Sequence, residues 1–451
     1  MYKPYKMPVV SVSPDVKVSE PRVSKLIIFI VKILSKPYLY MLFGFAKIIL
    51  RGDEFLFDSF KRALAGESRC IIAYRHPDGR EPQLLTAFFL FMLKKLAAKS
   101  KIKFALNPHA IFIYGYEVAR WGGWTARFFM PNLGAIPIHH TKVDSKGMAR
   151  IYKSITDGPY PVAIAPEGQV SYNTDSIPRL ETGSIRIGFQ AASMLADAES
   201  SLPVEILPLS IHFRYDSFGK RAMEKLLVKI EKLCGFPAEN TGLGFKDRLV
   251  KCRNHILEKN ETIYKIKSDD SLPFEQRLEN MFDAALASAE RMLGIKPEGD
   301  FFARLYKVRH LCWDRIYLPG IESFKSMTQI ERSIKDLEAG EAWYISRHQE
   351  LADFAWYFKS PVPAEDAALH TKIEYVQNLW DFANRTMGGA ISGRINIYPK
   401  KVVIQAAPPI DISGRLADYK KDRKGTLNIV VSELENAYTD CIKEVNANVP
   451  G

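Results

Sequence analysis

The stretch Cys70-Ile-Ile-Ala-Tyr-Arg-His-Pro-Asp-Gly-Arg-Glu81 decides the fold, because a short apolar run passes directly into a polar loop. The first five residues predict a buried strand, and the Pro-Asp-Gly sequence predicts a turn after it. A second apolar run, Pro161-Val-Ala-Ile-Ala165, is followed in the same way by Pro166-Glu-Gly-Gln-Val-Ser171. Two buried strands that end in polar loops are typical of a parallel sheet with its ligand site at one edge.

Strand and helix patterns alternate around these two runs. Helices are predicted at 83–96 and 151–156, and further strands at 103–106, 134–142 and 205–213. After Tyr215 the pattern changes to helices with little strand between them, at 245–266, 274–293, 301–317, 328–337 and 371–387. A strand at 394–405 and a helix at 416–446 complete the chain. The expected fold class is α/β, a mostly parallel sheet flanked by helices, with a large helical insertion.

Four domains are predicted from this order. They are an N-terminal membrane-interface helical segment (1–50), an α/β domain (51–215), a helical insertion (216–393), and a return strand with a C-terminal helix (394–451). The last segment is expected to rejoin the sheet of the α/β domain. The large aromatic residues of the insertion could line a lipid groove, although aromatic residues at helical spacing more often form a core.

The chain carries 63 Lys and Arg against 51 Asp and Glu, a net charge of +12. This charge favours anionic partners such as phospholipid headgroups, phosphorylated cofactors or nucleic acid. We expect no nucleic acid partner, because the basic residues are dispersed and no finger, helicase or RNA-recognition signature is present. The five cysteines are widely separated, without a Cys-x-x-Cys pair, which indicates free thiols in a reducing compartment and no structural zinc.

The N-terminal segment is unusually apolar from residue 26 to residue 50. Lys32, Lys36 and Lys47 keep every uncharged run below the ~18 residues that a membrane-spanning helix needs. Together with Lys25 they would form one narrow stripe on a helix that Pro37 interrupts. This pattern favours a helix in the interface of an anionic membrane, so we expect peripheral or monotopic attachment to a cytoplasmic face. A helix packed on its own domain is the alternative.

The polar loops predict acid–base chemistry. His76 can accept a proton from a hydroxyl, and a carboxylate beside it can fix its tautomer. Glu81 can reach the ring if the turn starts a helix near Gly79, and Asp78 is the competing orienter. Each motif alone also fits a structural histidine or an ordinary turn. The tandem histidines at 139–140 have no further carboxylate or histidine at metal-ligand spacing, so we expect no metal.

The order and spacing of these blocks resemble the glycerolipid acyltransferase superfamily, which includes the glycerol-3-phosphate and lysophosphatidate acyltransferases. The family's Asn-His-x-Ser-x-x-Asp block is similar to 75–81, its Gly-x-Ile-Pro-Val-x-Arg block to 134–140, its Pro-Glu-Gly-Thr-Arg-Ser block to 166–171, and its Val-x-Pro-Val block to 206–209. Later segments at 180–185 and 408–412 also resemble the family. The 51–215 domain would then be acyltransferase-like.

The resemblance implies transfer of a fatty acyl group from acyl-CoA or acyl carrier protein to a hydroxyl in phospholipid synthesis. The acceptor would be a lysophospholipid or a glycerol-phosphate-type molecule, and no cofactor is implied beyond the thioester co-substrate. His76 would be the general base, and Glu81 would take the place of the family's aspartate. The residues implied in substrate binding are Asp78, His140, Lys142, Glu167, Gly168 and Ser171.

The sequence also departs from the family pattern. The arginines with which the family binds the acceptor's phosphate correspond to His140 and Val170, and the family's serine corresponds to Asp78. The candidates to replace the lost positive charge are Lys142, Arg179 and Arg186. Otherwise the acceptor carries no phosphate. These departures leave open a catalytically inactive lipid-binding or scaffold protein on the same fold.

Overall fold

In the computed structural model of the protein, the described residues are 10–44, 46–139, 144–236, 242–358, 360–399 and 401–449. They divide into two compact units. The sheet unit consists of Val18–Asp216 with 398–449, and the helical unit consists of 10–17 with Ser217–Ile397.

Ten strands are found among the described residues. In chain order they are β1 (Ser13–Pro14), β2 (Lys47–Arg51), β3 (Arg69–Tyr74), β4 (Ile111–Gly115), β5 (Ile136–Ile138), β6 (Val162–Ile164), β7 (Val204–Arg214), β8 (Tyr317–Leu318), β9 (Lys401–Ala406) and β10 (Ile410–Asp411). All except β1 and β8 belong to one sheet, in which the order is β2-β9-β7-β3-β6-β4-β5 and β10 pairs with β7.

This sheet is mostly parallel. The strand β3 pairs in parallel with β6 and β7, β4 pairs in parallel with β5 and β6, and β2 does so with β9. Only the pairings of β7 with β9 and β10 are antiparallel within the described sheet. The predicted mostly parallel α/β sheet flanked by helices is therefore confirmed.

The central position of β3 and β7 follows from their sequences. Every residue of β7 is buried, and so is every residue of β3 after Arg69. The strand β3 is a continuous apolar run after Arg69, which is typical of a parallel strand that helices cover on both faces. The strand β7 also buries the polar residues Glu205, Ser210, His212 and Arg214. Since β3 and β6 are parallel neighbours, the loops that follow them leave the same edge of the sheet.

Sixteen α-helices are found among the described residues. In chain order they are α1 (Lys25–Phe43), α2 (Asp53–Ala65), α3 (Glu81–Ala87), α4 (Lys94–Lys99), α5 (Glu117–Trp121), α6 (Gly123–Asn132), α7 (Ser145–Thr156), α8 (Gly183–Asp197), α9 (Ser217–Leu233), α10 (Phe245–Ile263), α11 (Phe274–Leu293), α12 (Phe301–Ile316), α13 (Gln329–Tyr357), α14 (Leu369–Thr386), α15 (Leu416–Lys421) and α16 (Arg423–Asn448). A π-helical segment, Phe88–Leu93, joins α3 to α4. Short 3-10 turns form at Ile391–Gly393 and Ser413–Arg415.

The helices of the sheet unit bury apolar side chains against the strands. Ile71, Ile206, Phe189 and Tyr438 belong to one buried cluster that connects the sheet to α8 and α16. The hydroxyl of Tyr438 donates to the carbonyl of Ala73 in β3 at 2.9 Å. The C-terminal helix therefore packs directly behind the strand that ends at the candidate site.

Ser24 caps the N-terminus of α1, where its hydroxyl accepts from the amide of Ile27. Gly44, with φ +63°, is the C-cap. The helix continues through Pro37. Among the described helices it is long and apolar enough to cross a membrane, judged by length and composition alone, with a mean hydropathy of 1.8. The predicted position of this helix at a membrane interface therefore stays a prediction.

The helical unit contains α9 to α14 and the short parallel pairing of β1 with β8. Its buried glutamates Glu231, Glu261 and Glu290 each accept two hydrogen bonds from one arginine.

Of the aromatic residues of the helical insertion that could line a lipid groove, Tyr375 and Trp380 are buried in the core. The side chain of Trp356 is outside the described part of the structure.

At residues 47–50 the structure differs from the predicted N-terminal helical segment. They belong to β2, where Ile48, Ile49 and Leu50 pair with Val402, Val403 and Ile404 of β9. Aliphatic residues of this kind suit a strand, and the sheet supplies a partner that no local pattern reveals. Lys47 is therefore not part of the lysine stripe of α1.

Three further predicted elements differ from the structure. Residues 103–106 form no strand, and β4 starts at Ile111 instead, where the apolar run is longer. The predicted strand at 394–405 starts only at Lys401, after Pro399. The predicted helix at 328–337 continues to Tyr357 as α13.

Candidate functional site

Two loops meet where β3 and β6 end, and we call them the histidine loop (75–80) and the glycine loop (165–171). The main chain of His76 connects them. Its amide donates to the carboxylate of Glu167 at 3.2 Å, and its carbonyl accepts from the amide of Ser171 at 2.9 Å. The peptide of the candidate base is thus held on both sides by the neighbouring loop.

The ring of His76 is paired with Glu81. Its Nδ1 lies 2.6 Å from Oε2 of Glu81, whose side chain is fully buried, while the His76 side chain is 15% exposed. When Nδ1–H donates to the carboxylate, Nε2 of the neutral ring is the nitrogen that accepts a proton. No hydrogen bond from another described residue occupies Nε2.

The fold of the turn brings Glu81 back to the ring. Glu81 is the first residue of α3, and its carboxylate also accepts from the amides of Asp78 at 2.7 Å and Gly79 at 2.8 Å. Gly79 has φ +97°, a conformation that residues with a Cβ rarely adopt. The helix start near Gly79 that the sequence predicted is present, and it positions the carboxylate.

Asp78, the competing orienter, lies elsewhere. Both of its oxygens accept from the guanidinium of Arg80, with Nη2 at 2.6 Å. Arg80 also donates from Nη1 to the carbonyl of Leu42 at 2.6 Å and lies 4.6 Å from the ring centroid of Phe43. The end of α1 is therefore connected to the histidine loop, a contact that sequence reasoning missed.

The charges around His76 alter its pKa. Burial lowers it, but the nearby carboxylates, above all Glu81 with its hydrogen bond, raise it more. Glu167 and Asp78 add to the same direction. The net pKa of His76 is therefore above its ordinary value of 6.5. A more basic imidazole accepts a hydroxyl proton more readily, provided that the ring is neutral when substrate binds.

Glu167, predicted to touch the substrate, is buried behind His76. Its Oε1 accepts from Nε of Arg75 at 2.8 Å, and neither side chain of this pair is exposed. The other two guanidinium nitrogens of Arg75 donate to the carbonyls of Asn173, Thr174 and Ser176 at 2.7–3.0 Å. This ion pair holds the two loops and the segment after them together.

Sequence reasoning missed the role of Arg75. The available signal was an arginine directly after a buried strand, where a guanidinium needs an acidic partner. The only glutamate of the second loop, Glu167, supplies that partner.

Gly168 and Ser171 shape the glycine loop from inside. Gly168 has φ +72°, and a Cβ built there would lie 2.8 Å from the carboxylate of Glu181. The side chain of Ser171 is buried, and its hydroxyl is 3.4 Å from the carbonyl of His76. Both residues pack within the loop and fix its path beside the histidine.

The predicted residues His140 and Lys142 lie outside the described residues. The preceding His139 stacks on Tyr116 with ring centroids 4.4 Å apart, and its amide donates to Asp144 at 3.2 Å. The alternative cations Arg179 and Arg186 are both exposed, the second on α8. The structure thus brings His76, Glu81, Glu167, Gly168 and Ser171 together.

The chain was compared with known proteins. No protein-family model matches it, and no curated protein sequence does.

Proposed function

We propose that this protein is an O-acyltransferase of the glycerolipid type. It transfers a fatty acyl group from acyl-CoA or acyl carrier protein to a hydroxyl of a lysophospholipid or glycerol-phosphate-type acceptor. The 2.6 Å pairing of His76 with Glu81, at the edge of a parallel sheet, carries the proposal. A glycerolipid acyltransferase-like fold and activity in phospholipid synthesis belong to the same proposal.

His76 is the general base in the proposed reaction. The acceptor hydroxyl gives its proton to Nε2 while its oxygen bonds to the thioester carbonyl carbon. The tetrahedral intermediate collapses as the C–S bond breaks, and the leaving sulfur takes the proton from the imidazolium. The products are an ester and a free thiol, and no acyl-enzyme forms.

Glu81 orients the ring and stabilises the imidazolium. Two features of the site support this role: the carboxylate is fully buried, and two backbone amides hold it in place. Because a thioester is already activated, a positioned hydroxyl and a fixed base can supply much of the rate acceleration. Glu167 supports the base indirectly, through the His76 amide.

The acceptor is proposed to be a membrane lipid. In support, α1 exposes a broad apolar surface and carries Lys25, Lys32 and Lys36 without any acidic residue. The large exposed apolar residues of α1 are Leu26, Phe29, Ile33, Leu34, Tyr38, Tyr40 and Met41. A helix of this kind binds at the interface of an anionic membrane. We therefore propose peripheral or monotopic attachment at a cytoplasmic membrane face.

The test is thioester turnover. Purified protein with acyl-CoA or acyl carrier protein and a panel of lysolipids should release free thiol, and mass spectrometry of the lipids should identify the acceptor. His76→Ala should abolish thiol release while the protein remains folded, as its circular dichroism spectrum can show. His310→Ala, on α12 of the helical unit, is the matched control and should keep full activity.

Equal thiol release by the wild type and His76→Ala would overturn the proposed mechanism. A folded wild type that binds lipid vesicles and turns over none of the thioesters would instead support the inactive lipid-binding alternative.

A further inference from the structure

A second exposed apolar surface lies on α6 of the sheet unit. Trp124 is 73% exposed and Phe128 is 47% exposed. Because the two residues are four positions apart on a helix, they lie on the same side of it. An exposed tryptophan with a phenylalanine beside it indicates an interaction surface.

The strand connections place α6 on the same face of the sheet as α1. The chain passes from β3 to β4 through α3 and α4, and from β4 to β5 through α5 and α6. Both crossovers join parallel strands and step in the same direction along the strand order. Such crossovers are right-handed, so their helices lie on one face. The helix α1 packs against α3 and the π-helical segment on that face.

The two helices are also joined at their ends. The amide of Arg22 donates to the carbonyl of Pro131 at 2.8 Å, and the amide of Ser24 donates to that of Asn132 at 2.9 Å. A bridge between Val23 and Leu133 adjoins these bonds. The start of α1 is therefore fastened to the end of α6.

The charges of both helices have one sign. The helix α6 contains Arg127 and no acidic residue, and α1 contains three lysines and no acidic residue. A surface that combines large apolar side chains with cations complements an anionic lipid surface, and tryptophan favours the headgroup region in particular.

We propose that α6 is a second membrane-docking element, which inserts Trp124 and Phe128 into the headgroup boundary of an anionic phospholipid bilayer beside α1. This inference rests on the proposed function for membrane attachment only. Because docking is measured without substrate, its failure is distinguishable from a failure of acyl transfer.

The experiment compares vesicle binding of the full chain and its variants. Vesicles of phosphatidylcholine with phosphatidylserine are sedimented with the wild type and with the double variant Trp124→Ser, Phe128→Ser. Loss of two inserted aromatic side chains should weaken binding by roughly tenfold or more. The matched control is Ile330→Ser, Leu337→Ser, which removes side chains 75% and 66% exposed on α13 and should bind like the wild type.

Fluorescence quenching tests the proposal directly, even if the double variant does not fold. Vesicles with lipids brominated near the headgroup should quench wild-type tryptophan fluorescence, and the conservative variant Trp124→Phe should lose a distinct part of that quenching. Unchanged vesicle binding by a folded double variant would overturn the proposal, and so would identical quenching of the wild type and Trp124→Phe. A self-associating wild type that the double variant renders monomeric, with equal vesicle binding, would assign the surface to a second copy instead.

Discussion

Two consecutive residues, Arg75 and His76, have glutamate partners in very different surroundings. The pair of Arg75 and Glu167 is wholly buried, and each nitrogen of the guanidinium donates to an acceptor. The pair of His76 and Glu81 is buried only on the glutamate side. One pair holds the loops together, and the other leaves a ring nitrogen for chemistry. The difference teaches that a motif residue is assigned its role by burial as well as by its chemical type.

Breaking the buried pair should have the largest effect. Glu167→Ala leaves Arg75 charged and unpaired in the interior, which should cost about 3–5 kcal/mol of unfolding free energy. Chemical denaturation measures this loss. Arg75→Met together with Glu167→Leu should recover much of it, because an apolar pair of similar volume leaves no buried charge. A loss below ~1 kcal/mol in Glu167→Ala would contradict the structural role.

Breaking the pair of His76 and Glu81 should affect turnover more than stability. Glu81→Gln should slow thiol release by roughly 10²-fold, because the imidazole loses its orienting charge, while substrate binding is retained. Asp78→Asn is the control and should cost much less, since Asp78 pairs with Arg80. If Asp78→Asn were the slower enzyme, the orienting role would pass to Asp78.

The pH dependence of activity should show the effect of Glu81 on the pKa of His76. The base form of His76 is required, so activity should rise with pH through a midpoint above 6.5. In Glu81→Gln the largest raising cause is lost, so the midpoint should move to lower pH. A pH–rate profile of kcat/KM for both proteins measures this shift. An unmoved midpoint would show that the midpoint is not set by the pKa of His76.

The contribution of His76 to stability should fall as pH rises, whereas the activity should increase. Because the folded-state pKa of His76 is raised, its contribution to stability is fully present below 6.5 and is lost as pH rises through the folded-state pKa. The difference in unfolding free energy between the wild type and His76→Ala should therefore shrink with rising pH. Denaturation at several pH values tests this, and a growing difference would contradict the raised pKa.

The smallest effect is expected at Ser171. Its backbone amide binds the His76 carbonyl at 2.9 Å, while its hydroxyl is 3.4 Å away. Ser171→Ala keeps the amide, so unfolding free energy should change by only about 0.5 kcal/mol and turnover by less than about twofold. A tenfold loss of turnover with unchanged stability would mean that the hydroxyl touches substrate.

Local chemistry explains how much could be predicted. The strand at 70–74, the turn at Gly79 and the return of Glu81 to His76 involve residues close in sequence, and the structure confirms the strand and the turn. The sheet class was predictable because buried parallel strands have recognisable apolar runs. The sequence analysis missed two helix boundaries: α1 ends before Gly44, where φ is +63°, and α13 extends to Tyr357.

The sequence by itself determined a mostly parallel α/β sheet, the loop at His76 and the carboxylate that can reach its ring. Only the tertiary structure decided that Glu167 lies behind the histidine, in contact with a residue 92 positions earlier, and that α1 ends against Arg80. The physical reason is that side-chain periodicity encodes local elements, whereas the order of strands in the sheet decides which distant side chains meet.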